Sequence, residues 1–180
     1  MEKIMDWKNK TNTNQLISKL KTTDKRSEKV IKGVKIIYWF LIGIYLLFSV
    51  INLVEKDINS FLGGVIVIIS ALLIILFFEK QYKIIKQVDY SLPVIIVLKN
   101  AAKRLKPFNM DSLWLLIGLL IMDIGLSILS FSDISRLINI QIFFFGAVAL
   151  GAFIGFIFWN LKYKSLRDNI LDLISELENE

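Results

Sequence analysis

Glu79 to Asp111, EKQYKIIKQVDYSLPVIIVLKNAAKRLKPFNMD, is the only long hydrophilic segment in the interior of the chain. It separates two strongly apolar halves and carries seven of the 22 Lys and Arg residues. Which side of a membrane it occupies decides the topology of everything else.

Before this segment, Val34 to Val54 holds no charge between Lys35 and Glu55, and Phe61 to Phe78 holds none at all. After it come two more apolar runs, Leu113 to Phe131, charged only at Asp123, and Ile140 to Trp159. A helix of about 20 apolar residues crosses the roughly 30 Å hydrocarbon core of a bilayer. The turns Glu55 to Ser60 and Ser132 to Asn139 are short, so each pair of spans folds back as a hairpin. The expected fold class is therefore all-α: a polytopic membrane protein with four transmembrane helices in two hairpins plus cytoplasmic amphipathic helices. Five segments follow: 1–33 basic and amphipathic, 34–78 first hairpin, 79–111 basic linker with a surface helix, 112–160 second hairpin, and 161–180 an acidic helix.

The totals agree. Of 180 residues, 55% are hydrophobic, and the mean hydropathy is +0.60. A soluble domain of this size does not need so much apolar surface. The pI near 9.4 then points to loops facing anionic lipid rather than to nucleic acid. No aromatic ladder or nucleic-acid motif accompanies the charge. There is no Cys and no His. Thiol chemistry, disulfides and the commonest general base and transition-metal ligand are thereby excluded. No P-loop, GxSxG, HExxH, EF-hand loop or Mg²⁺-like acid cluster occurs. The chain is read as a non-enzyme without cofactor or metal.

Orientation follows from charge. Twenty of the 22 Lys and Arg fall in the N-terminal segment, the central stretch and the tail, and only Lys56 and Arg136 fall in the two turns. The positive-inside rule puts both termini and the central stretch in the cytoplasm. The expected location is a bacterial inner membrane. Trp39, Trp114 and Trp159 then mark the cytoplasmic interface. No secretory signal is visible, since the first apolar run is too long for one and lacks a small-residue cleavage site.

The hairpins resemble each other. Trp39-Phe40-Leu41-Ile42-Gly43-Ile44 matches Trp114-Leu115-Leu116-Ile117-Gly118-Leu119, and Phe77-Phe78 with Tyr82-Lys83 matches Phe158-Trp159 with Tyr163-Lys164. A parallel duplication explains the match. Biased composition explains it equally.

Asp123 is the one charged residue well inside a span. It lies about 11 residues from the span's start, or roughly 16 Å at 1.5 Å per residue. A carboxylate there faces the bundle interior and needs a partner or a proton. Tyr45, Ser49 and Ser70 lie at similar depth. Asp123 is read first as a packing residue hydrogen-bonded between helices, and second as a proton or cation site. Ala147, Gly151 and Gly155 recur every four residues and form a helix-packing face, read as a seam within the bundle before a homodimer surface. Gly118 and Gly125 are its counter-face.

In the central stretch, Asp89 or Ser91 can cap a helix opening at Pro93. Val94, Val97, Leu98, Ala101 and Leu105 follow helical spacing, and Pro107 stops the helix. Lys99, Lys103, Arg104 and Lys106 form a basic face suited to anionic inner-leaflet lipid. At the N-terminus, Asn12 to Asn14 look like a turn or helix start, followed by Leu16, Ile17 and Leu20 on one face. Leu166, Ile170, Leu173 and Leu177 give the tail a short apolar seam among acids. The basic N-terminal helix and acidic tail are expected to pack together, with Lys19 to Lys29 facing the acids.

The Asp89-Tyr90-Ser91-Leu92-Pro93 run, the Lys-rich helix Lys99 to Lys106 and Trp114 make the chain resemble uncharacterised four-span bacterial membrane proteins of Bacteroidetes type. The resemblance implies a topology and no activity. The leading reading is a scaffold, assembly or regulatory membrane protein acting through cytoplasmic helices. The alternatives are a small oligomeric transporter or channel using Asp123, and a membrane tether for a soluble regulatory factor. The expected partners are the bilayer with its anionic lipids, further copies of the chain, and a cytoplasmic protein.

Overall fold

A computed structural model describes residues 2–106, 112–131 and 133–178, with side chains from Thr13 onward. The elements are α1 (Glu2–Val54), α2 (Ile58–Lys86), α3 (Val94–Arg104), α4 (Ser112–Leu129), α5 (Ile134–Phe158), a π-helical stretch (Trp159–Lys164) and α6 (Ser165–Glu178). No strand occurs among the described residues. Helices long and apolar enough to cross a membrane cover Thr13–Val54, Ile58–Lys86, Ser112–Leu129 and Ile134–Glu178. The chain is all-helical, with four helices suited to a multi-pass membrane protein.

Asn12 to Asn14 do not start a helix but lie within α1, which runs unbroken for 53 residues. Asn costs only about 0.6 kcal/mol per helical position, and no Pro interrupts the segment. The helix ends where Lys56 adopts φ 62°. The Asp57 amide donates to the Asn52 carbonyl at 2.9 Å across this turn, and Asp57 opens α2 by accepting from the Ser60 amide and hydroxyl. Pro107 and Asp111 lie outside the described residues. Neither Asp89 nor Ser91 caps α3. Pro93 occupies the cap position, and its carbonyl accepts from the amides of Ile96 and Val97. Asp89 is too far upstream to reach those amides, and instead accepts from the Ser91 amide at 2.8 Å and hydroxyl at 2.7 Å.

The chain divides into two compact units. One comprises residues 1–29, 84–109 and 154–180, and the other residues 30–83 and 110–153. The first is a three-helix module built by the amphipathic spacing of its segments. Leu16 and Leu20 of α1, Val97, Leu98, Ala101, Ala102 and Leu105 around α3, and Leu166, Ile170, Leu173 and Ile174 of α6 are all buried. Leu98, Ala101 and Ile170 are fully enclosed. Burying each such Leu or Ile contributes about 1.5–3 kcal/mol where water is the alternative. Ile17 and Leu177 are only partly buried, and Val94 and Ile96 are exposed.

The second unit packs differently. Its core joins Ile42 of α1, Ala71, Ile74 and Ile75 of α2, and Met122 of α4. Glycines set the closest approach. A Cβ on Gly63 of α2 would lie 2.9 Å from the Gly125 carbonyl of α4, and one on Gly125 would lie 2.8 Å from Val67. A Cβ on Gly118 would lie 2.7 Å from Ile74. Lipid is as apolar as Leu, so close backbone approach rather than water exclusion holds such helices together.

Candidate functional site

The intramembrane polar residues are all in the second unit, but the described residues do not join them into one cluster. Asp123 Oδ1 is buried without a hydrogen-bond partner, and so is Ser49 Oγ. The Ser70 hydroxyl donates to the Val67 carbonyl at 2.8 Å, the helix-internal bond open to Ser in a span. The Tyr45 ring meets Phe48 edge-on, with centroids 6.3 Å apart. What surrounds Asp123 is a polar chain that composition did not single out. The Ser127 hydroxyl donates to the Asp123 carbonyl at 2.8 Å, and Gln141 Nε2 of α5 donates to Ser127 Oγ at 2.8 Å.

The small-residue face of α5 is not the bundle's seam. A Cβ at Gly151 or Gly155 would meet nothing within 4 Å, and Ala147 is exposed. α5 turns Phe144 and Gln141 toward its neighbours instead, which leaves the small residues facing outward. The expected counter-face, Gly118 and Gly125, packs on Ile74 and Val67 of α2.

The first unit holds the better-built polar site. Asp24 of α1, Tyr90 of the DYSLP turn and Arg104 of α3 converge there. The Tyr90 hydroxyl donates to Asp24 Oδ2, and Arg104 Nη1 donates to the same oxygen at 3.1 Å. Lys21 Nζ lies 5.2 Å from the centre of the Tyr90 ring. Asp24 and Arg104 are both largely buried, at 16% and 18% side-chain exposure, so each needs the other. Burial pushes the Tyr90 hydroxyl well above its ordinary range, and the bond to Asp24 adds to the effect. The DYSLP turn is thus pinned to α1 by its tyrosine.

Two further contacts close the module. The Trp159 indole N–H donates to the Leu105 carbonyl at 2.9 Å, capping the end of α3. Lys99 pairs with Glu178, joining the basic helix to the acidic one. The proposed α1–α6 charge match reduces to a groove where Lys19 lies with Asp172 and Glu176. Of the basic face, Arg104 is committed to Asp24 and Lys99 to Glu178, while Lys103 and Lys106 are exposed. The apolar face of α3 packs on protein in the module core.

In the second unit Lys35 donates to Glu79, and the ammonium groups of Lys32 and Lys35 each lie 5.4 Å from the centre of the Tyr82 ring. No group of three or more His, Cys, Asp or Glu is placed to hold a metal ion among the described residues. Compared with protein-family models, curated proteins and solved structures, the chain matches none.

Proposed function

We propose that the protein is a non-enzymatic multi-pass membrane protein that acts as a scaffold, assembly or regulatory component through its polar helical module. The observation that carries this reading is the module's closed core, where α1, α3 and α6 bury their apolar faces on one another, with the Asp24–Arg104 pair enclosed beside them. Segments that were only connectors between spans would have no need of such a core. In this reading the spans form two hairpins in a bacterial inner membrane. The module lies in the cytoplasm, where 20 of the 22 Lys and Arg would then reside. Lys103 and Lys106 remain available to anionic lipid or to an acidic partner protein. The resemblance to four-span Bacteroidetes-type proteins fits this topology.

The test is affinity purification of the full chain from native membranes, beside Lys103→Glu/Lys106→Glu. A soluble partner retained by the wild type and lost by the charge reversal supports the reading. An identical set of co-purifying proteins from both counts against it.

A second reading rests on the unpartnered Asp123 Oδ1. A polar atom without a partner in hydrocarbon costs several kcal/mol, a cost that use as an ion or proton site would explain. Cation- or proton-dependent flux in proteoliposomes, abolished by Asp123→Asn, would establish it. Equal flux in both proteins would end it.

A further inference from the structure

The module carries a second polar feature, a groove of about 410 Å³ between α1 and the π-helical stretch with the start of α6. The α1 wall presents Ser18, Lys19, Thr22 and Thr23. The opposite wall presents Lys162, Ser165 and Asn169. Among the described residues the lining thus comprises two lysines, four hydroxyl side chains and an asparagine, with no Asp or Glu. The neighbouring groove, which shares Lys19 and Asn169, contains Asp172 and Glu176. The two grooves have opposite character along one helix pair.

Lys162 lies on a stretch of unusual backbone. The six residues Trp159–Lys164 are π-helical, a rare and locally widened form that recurs at functional sites. The stretch is held at both ends of its first turn. Trp159 bonds the Leu105 carbonyl, and the Tyr163 hydroxyl lies 3.5 Å from Ser27 Oγ. Lys162 lies between these anchors, with Nζ 5.4 Å from the centre of the Phe158 ring. Thr22 donates its hydroxyl proton to the Ser18 carbonyl at 3.0 Å, which orients that side chain. Leu161 forms an apolar rim and is 73% exposed, with exposed Phe158 close by in sequence.

Lysine ammonium groups beside hydroxyl and amide side chains in one groove supply the donors that a tetrahedral oxyanion takes. Lys162 has no carboxylate beside it in this lining, while Lys19 stands between this groove and the acidic one. We propose that this groove binds a phosphate group, with Lys19 and Lys162 as its charge partners and Thr23 and Ser165 as hydroxyl donors. The phosphate belongs either to a phospholipid headgroup, whose chains would lie along Leu161 and Phe158, or to a free phosphate ion. The site is separate from Lys103 and Lys106, so it stands whether or not the proposed docking role of those residues holds.

The experiment uses the full chain in uncharged detergent and titrates it with dioctanoyl phosphatidylglycerol and, separately, with sodium phosphate. The comparison is between Lys19→Gln/Lys162→Gln and a control of equal charge on the same elements, Lys25→Gln/Lys164→Gln. Helix content and elution volume verify that each variant is folded. Wild type is expected to bind saturably, and the groove variant to bind at least ~10-fold more weakly, the loss of charge-assisted bonds. The control is expected to stay within about 2-fold, as for exposed charges. Thr23→Val/Ser165→Ala is expected to weaken binding about 5-fold at unchanged net charge. Saturable binding of the lipid alone assigns the headgroup, and equal competition by sodium phosphate assigns the free ion. Equal weakening in the groove and control variants, or no saturable binding of either probe, overturns the proposal.

Discussion

Helices α2 and α5 are both apolar, of similar length and rich in small residues, yet they are used in opposite ways. α2 buries Gly63, Gly64, Val67, Ser70, Ala71, Ile74 and Ile75, whereas α5 buries no residue. In α2 each glycine lies opposite another atom, since Gly63 faces the backbone of Gly125 and Leu129, and Gly64 faces Ser49. In α5 the glycines face open space. Small-residue spacing therefore permits close approach without causing it. The cause is the shape of the facing helix, where Gly118 and Gly125 leave room for Ile74 and Val67. The suggested repeat shows the same lesson. Gly43 and Gly118 are its matched positions, but a Cβ on Gly43 meets nothing while one on Gly118 meets Ile74.

The contrast breaks most visibly at Gly63. Gly63→Leu forces a side chain against main-chain atoms that cannot rotate away, and is expected to cost about 3 kcal/mol or more. Detergent extracts of that variant should lack a monodisperse folded species, and a normal thermal transition would show that α2 and α4 are not in close contact. Moving to the core that water drives, Ile170→Ala is expected to cost about 3 kcal/mol by emptying a fully enclosed site. Limited proteolysis should then cut α6 and α3 while sparing the spans. Protection as in the wild type would contradict the module core.

Gly118→Ala is a milder probe, because it adds a single methyl group and its closest neighbour is the side chain of Ile74 rather than main chain. A loss of about 1 kcal/mol in thermal stability is expected. Tyr90→Phe should lose about 1 kcal/mol for the bond to Asp24. The pH dependence has a definite sign. The folded-state pKa of Tyr90 is raised, so its contribution is present below the unfolded value of about 10 and is lost as pH rises past it. Wild type and Tyr90→Phe should differ in stability at pH 8 and converge in strong alkali. The smallest effect is expected from Gly151→Ala, within about 0.5 kcal/mol of wild type. A large loss there would mean that another copy of the chain covers this face.

Much of the architecture was legible because it is local. The apolar runs and charge blocks mark the four long helices, and helical spacing in Val97, Leu98, Ala101 and Leu105 and in Leu166, Ile170 and Leu173 marks the faces that the module buries. The Asp24, Tyr90 and Arg104 site was not legible, since its residues lie 66 and 80 positions apart and share no motif. The seam at Gly63 escaped notice for a related reason. Only the partner helix distinguishes it from Gly151. Arg104 reads as one more surface cation until the acid it meets is known. The π-helical stretch has no marker in residue type.

The central claim is that the helical module and both chain ends share the cytoplasm while the two short turns face the other side. The chain has no Cys. Single substitutions Asp57→Cys, Ser135→Cys, Lys25→Cys, Lys103→Cys and Glu176→Cys can therefore be labelled in intact cells with a membrane-impermeant maleimide. The account requires labelling at 57 and 135 before permeabilisation, and at 25, 103 and 176 only afterwards. The reverse pattern, or labelling of 103 on the opposite side from 25 and 176, would contradict it.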